Sequence, residues 1–146
     1  MADLESALAK LQASYVSAVY KRDAEAFVRL YDPAVRVFDA WGVWEYVGTE
    51  AWRLAVEGWF TSHADEKIKV TFTDTQCHGT PSHAFVSAMV KYAWTGADGK
   101  ETRSMEHRIT WGLRTTGHVL RILHEHTSMP VGFEDMKAIL QRKPGA

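Results

Sequence analysis

The sequence predicts an α+β domain, with helices first and a strongly curved, mostly antiparallel sheet wrapped around them. Three observations predict it. Early segments carry apolar residues at three- and four-residue steps, the mark of helices with one buried face. The later two thirds carry long alternating runs, the mark of strands. Thr95–Gly99 and Thr115–Gly117 then punctuate these runs as hairpin connections.

The elements follow in order. Ala2 to Tyr20 reads as a helix whose face is Leu4, Leu8, Leu11, Tyr15 and Ala18. Tyr15 lies on that face, so its hydroxyl needs a partner inside. Asp23 is the N-cap of a short helix through Leu30, and Asp32-Pro33 ends it. Val35 to Asp39 is a short strand with Val35, Val37 and Asp39 on one side. Ala40 to Val47 is a turn rich in Trp41, Trp44 and Tyr46. Gly48-Thr49 opens a third helix to about His63, buried through Trp52, Ala55, Val56, Trp59 and Phe60.

Three long strands come next. Lys67 to Cys77 sets Ile68, Val70 and Phe72 against Lys69, Thr71 and Thr73. His83 to Trp94 is apolar on both sides, so its second face also needs cover. A homodimer through the back of the sheet, or a tail helix folded over it, would supply that. Thr102 to Arg114 places Met105, His107, Ile109, Trp111 and Leu113 on one face. The final strand lies between Gly117 and Pro130. A period of two puts Leu120, Ile122, His124 and His126 on its inner face, and Arg121, Glu125 and Thr127 outside. Gly132 to Arg142 is expected as a short amphipathic tail helix.

Composition narrows the function classes. The 146 residues, 46% hydrophobic and 24% charged, fit one domain over 1–146. A net charge of −1 gives no reason to expect a nucleic-acid partner. The single Cys77 excludes an internal disulfide. The N-terminus has no apolar signal core and no run nears the roughly 20 residues of a membrane span, so a cytoplasmic protein is expected. Six Trp, five Tyr and six Phe suit either a large apolar cavity or an aromatic core. Walker, dinucleotide-binding, nucleophile-elbow and zinc-finger patterns are absent from the sequence.

Several motifs resemble a known superfamily. Tyr15, Asp23-Ala24-Glu25-Ala26, Leu30-Tyr31 and Val37-Phe38-Asp39-Ala40-Trp41-Gly42 resemble the ketosteroid isomerase arrangement. Arg121 to Ser128, with its His-Glu-His, resembles the SnoaL-like and kinase-association branches of the same nuclear transport factor 2-like (NTF2-like) superfamily. The resemblance spans Leu4 to Val131. It implies a cone-shaped fold with a deep pocket, and a SnoaL-like or ketosteroid isomerase-like domain. The superfamily hosts enzymes and non-enzymatic modules alike, so function rests on the site.

The resemblance makes Asp39 a general base and Tyr15 a donor to a substrate carbonyl. Burial would raise the proton affinity of Asp39 toward a useful range. The plainer readings are a turn-capping Asp39 and a Tyr15 packed in the core. The isomerases' second donor, an acid, falls on Ile109, which cannot donate. Steroid isomerisation is therefore not expected, and His107 or His126 is the substitute donor. His107, His124 and His126 are expected to converge in the pocket as proton carriers, polar contacts, metal ligands or satisfied core histidines. Trp41, Trp44, Trp52, Phe60, Tyr92, Ile109, Trp111 and Ile122 are expected as ligand-binding walls. The expected ligand is a small apolar or aromatic carbonyl compound, bound without cofactor or metal. The reaction class would be an isomerase, cyclase or dehydratase moving a proton; the alternatives are a non-catalytic binding or association module and a metal-dependent hydrolase or oxygenase.

Overall fold

The computed structural model describes residues 3–62 and 65–143. Helix α1 (Leu4–Lys21) begins at the Asp3 cap, whose carboxylate accepts the Ser6 N–H at 2.6 Å. It ends at Arg22 in the left-handed region. Asp23 caps α2 (Ala24–Val28) through the Ala26 N–H. Strand β1 (Tyr31–Phe38) and the two-residue β2 (Tyr46–Val47) precede α3 (Thr49–Ser62). Strands β3 (Lys67–Gly79), β4 (His83–Thr95), β5 (Glu101–Thr116) and β6 (Val119–Ser128) complete the sheet. The expected helix start at Ala2 and end at His63 lie outside the described residues.

The six strands run in the order β2-β1-β6-β5-β4-β3. All neighbours are antiparallel except β1 and β6, which are parallel. The helices pack on one side of this curved sheet. Leu8, Leu11, Tyr15, Ala18 and Val19 of α1 and Trp52, Val56 and Phe60 of α3 meet Val70, Val86, Val90, Ile109, Trp111 and Ile122 in one core. Strand β1 starts four residues before the expected Val35. Its Pro33 lies where the pairing with β6 shifts register, which suits a residue that cannot donate to the ladder.

Two expectations fail. The first is the tail helix. Gly132–Arg142 forms turns joined by a Val131–Ala138 bridge, and Phe133 and Met136 stand in solvent at 97% and 77% exposure. Without a buried stripe a short helix has nothing to hold it. The tail instead runs beside β5, where the Glu106 N–H donates to the Leu140 carbonyl. The tail helix is thus not what covers the back of β4, and Phe85 remains 52% exposed among the described residues.

The second concerns β6. Opposite Gly112 lies His124, but opposite the next residue, Leu113, lies Ile122. Leu123 is therefore one residue too many, a β-bulge. It resets the alternation, and every side chain after it changes face. Ile122 stays buried, but then Glu125 and Thr127 turn inward, at 2% and 5% exposure. His124 and His126 turn to the outer face, where they pack against Phe38 with ring centroids 4.9 and 5.5 Å away.

Candidate functional site

Between the sheet and the helices lies a cavity of about 580 Å³. Its wall is mostly aromatic and aliphatic. Trp52, Ala55, Val56 and Trp59 come from α3, Tyr92 and Trp94 from β4, and Met105 from β5. The loop after β1 adds Asp39, Trp41 and Gly42, followed by Tyr46. Polar groups enter from five elements: Tyr15, Asp39, Tyr92, His107, and the pair Glu125 and Thr127. Arg103 lines the cavity too, its guanidinium 4.7 Å from the Trp94 ring and paired with Glu66.

Asp39 follows the last residue of β1, on the same face as buried Val35 and Val37. The Thr127 hydroxyl donates to its Oδ1 at 3.0 Å and accepts the Ala40 N–H at 2.8 Å. Burial pushes the Asp39 carboxyl above the usual range, against the pull of Thr127 and the Ala40 and Trp41 amides. Tyr15 and Tyr92 share one hydrogen bond, 2.6 Å between hydroxyls. Burial raises both phenols, so both are neutral. Two hydroxyls carry two protons and one is used between them. The other has no protein acceptor among the described residues, and it belongs to whichever tyrosine accepts.

His107 accepts the Trp41 indole N–H on Nε2 at 3.2 Å. An indole nitrogen only donates, so Nε2 is unprotonated and Nδ1 carries the ring proton. Burial lowers its proton affinity to about 4, in keeping with a neutral ring. Nδ1 is sealed from solvent and has no partner among the described residues.

Glu125 is the polar group that the strand alternation hides. Tyr31 donates to its Oε1 at 2.7 Å and Trp111 donates to the same oxygen at 2.9 Å. Burial raises its carboxyl to about 7, against these two bonds, and Asp39 adds to the rise.

The sequence profile of the SnoaL-like domain matches residues 8–132. The chain belongs to the SnoaL-like domain family. No curated protein matches it in sequence. Among solved structures, the chain is similar to an NTF2-like protein of unknown function from Pseudomonas putida, with 24% identity, a TM-score of 0.83 and 96% of each chain covered. It is also similar to a putative calcium/calmodulin dependent protein kinase II association domain from Xanthomonas campestris: 17% identity, TM-score 0.73, 86% of this chain and 87% of that one. A third, from Catenulispora acidiphila, was solved in complex with S-DNPA: 16% identity, TM-score 0.72, 86% and 92% covered. At these identities the likeness concerns the NTF2-like fold.

Within this SnoaL-like domain the expected site residues divide. Asp39, Tyr15, His107, Trp41, Trp52 and Tyr92 line the cavity. His124 and His126 do not, for the bulge puts them on the opposite face. Trp44 is 95% exposed, because its turn carries it away from the helices. Phe60, Ile109, Trp111 and Ile122 are buried in the core behind the lining. Trp111 still serves the site through Glu125. Sequence reading missed Glu125, Thr127, Met105, Trp94 and Arg103 as lining. Met105 and Trp94 were in sight, since both lie in strands whose inner faces were legible. Among the described residues no group of three His, Cys, Asp or Glu is placed to hold a metal ion. No helix among them is long and apolar enough to cross a membrane.

Proposed function

We propose that this SnoaL-like domain binds a small, mainly apolar carbonyl compound in its cavity and moves a proton on it. The observation that carries this reading is one aromatic cavity holding both a desolvated carboxylate, Asp39, and a tyrosine pair with an unused hydroxyl proton. The two groups suit one reaction. Asp39 takes a proton from the carbon beside the carbonyl. The electron pair of that C–H bond moves onto the carbonyl oxygen, and the Tyr15–Tyr92 pair donates to the resulting enolate. The protonated Asp39 then returns its proton to another carbon, which gives an isomerisation, or the enolate carbon attacks a second carbonyl carbon of the same molecule, whose C=O π electrons move onto its oxygen and take the proton from Asp39, which gives a cyclisation. His107, neutral and held by Trp41, shapes the wall rather than carrying a proton near neutral pH.

The test is turnover and affinity on a panel of β,γ-unsaturated ketones and polyketide-like aromatics. Asp39→Asn should lower turnover by about 10²-fold or more while affinity changes by less than about tenfold. Wild type that binds members of the panel and turns over none of them would make this a binding module instead.

A further inference from the structure

Glu125 is 2% exposed and lines the cavity from β6. Both of its protein donors, Tyr31 and Trp111, converge on Oε1. Oε2 has no protein hydrogen-bond partner among the described residues, and it is not among the polar atoms sealed from open space. Among the described residues no cation pairs with the group. The titratable groups around it are Tyr15 from α1, Tyr31 from β1, Asp39 after β1 and Tyr92 from β4. His107, further along β5, lines the same cavity and is neutral. A buried carboxylate with no cation and a second carboxylate nearby is costly; the neutral acid is the cheaper state. The neutral acid has its proton on Oε2, because Oε1 is already accepting twice. That proton has no protein acceptor among the described residues, and the group lines the cavity, where a ligand oxygen can accept it.

We propose that Glu125 acts as a neutral acid whose Oε2–H donates to the oxygen of the bound ligand, so the cavity selects uncharged ketone-type compounds. This rests on the cavity being the ligand site, as proposed above. A ketone oxygen has two lone pairs. The tyrosine pair and Glu125 supply one donor each, while Asp39 is left to accept. When Glu125 ionises it loses the donor and places a second negative charge beside the ligand oxygen. Affinity for a ketone should therefore fall as pH rises through neutrality.

The probe is prodan, a neutral naphthyl ketone whose fluorescence moves to the red when its carbonyl accepts hydrogen bonds. Wild type should bind it with constant affinity at mildly acidic pH and lose about tenfold as Glu125 ionises. Glu125→Gln keeps an oxygen for Tyr31 and Trp111 and an N–H₂ for the ligand. It should hold the acidic-pH affinity within about threefold and show no pH dependence. Asp39→Asn should keep the dependence but move its midpoint to lower pH, since Asp39 helps hold the proton on Glu125. A Glu125→Gln variant that retains the wild-type pH dependence would overturn the proposal. So would its binding prodan tenfold more weakly at acidic pH while its unfolding transition matched wild type.

A second measurement needs no ligand. The infrared spectrum of wild type at mildly acidic pH should contain a buried protonated-carboxyl band that Glu125→Gln lacks. Absence of that band overturns the role given to Glu125 whatever the cavity binds. Presence of the band in a protein that binds no prodan overturns the ketone assignment and the cavity reading together, and leaves only the protonated acid.

Discussion

Thr127 shows how one side chain sets the chemistry of another. Its hydroxyl accepts from the Ala40 amide and donates to Asp39. Valine has the same shape without the hydroxyl. Thr127→Val removes the Asp39 bond and one acceptor of the Ala40 N–H, at a cost of about 1–3 kcal/mol in a urea titration. The lost bond stabilised the ionised form, so the Asp39 carboxyl should rise further above its ordinary range. In a rate profile the acidic limb should move to higher pH. A limb that stays in place would mean that Asp39 is not the group it reports.

Among the elements, β6 is where sequence and structure part. The helix-then-sheet order was legible because α1, α3, the first half of β3 and the second half of β5 keep their periods. Asp39, Tyr15 and His107 were legible as lining because α1, the end of β1 from Val35 and the part of β5 from Met105 keep their periods. His124 and His126 were misplaced because Leu123 breaks the alternation without a glycine or proline to mark it. The one trace is the adjacent pair Ile122-Leu123, either of which could face the core. A period of two cannot tell which residue is extra. Deleting Leu123 should therefore be tolerated. Ile122, His124 and Glu125 would then alternate without the bulge, and Glu125 and Thr127 would still face inward. The expected result is a cooperative unfolding transition, weakened by no more than about 3 kcal/mol. Gly112→Ala, opposite His124, is the control. Its new methyl would sit 3.6 Å from the His124 Cβ, an ordinary contact, so stability should change by no more than about 0.5 kcal/mol. Loss of the cooperative transition in the deletion variant would show that Leu123 is not the extra residue.

At the scale of the whole molecule, burial sets two titrations against each other. His107 is held at about 4 against an ordinary 6.5. In that window the unfolded chain binds a proton that the folded chain refuses, so stability rises with pH. Glu125 is held at about 7 against an ordinary 4.5. There the folded chain keeps a proton that the unfolded chain has lost, so stability falls with pH. The windows overlap between 4.5 and 6.5, where the two slopes, each at most about 1.4 kcal/mol per pH unit, oppose one another. Relative to wild type, Glu125→Gln should gain stability across this window as pH rises, and His107→Gln should lose it. Denaturant midpoints measured at several pH values check both signs. Asp32 acts lower. Arg114 grips both its oxygens at 2.8 and 2.9 Å and holds it at about 2. Its contribution is complete above the ordinary 3.8 and disappears as pH falls through about 2.

The parallel seam between β1 and β6 has a kinetic corollary. Tyr31 meets Glu125 across 94 positions of sequence, and Thr127 meets Asp39 across 88. Those contacts close a long loop and are expected after the β3–β4–β5 hairpins have zipped locally. During synthesis the cavity is expected to stay open until the last strand has left the ribosome. Refolding followed by a fluorescent ketone should then lag behind the recovery of sheet signal.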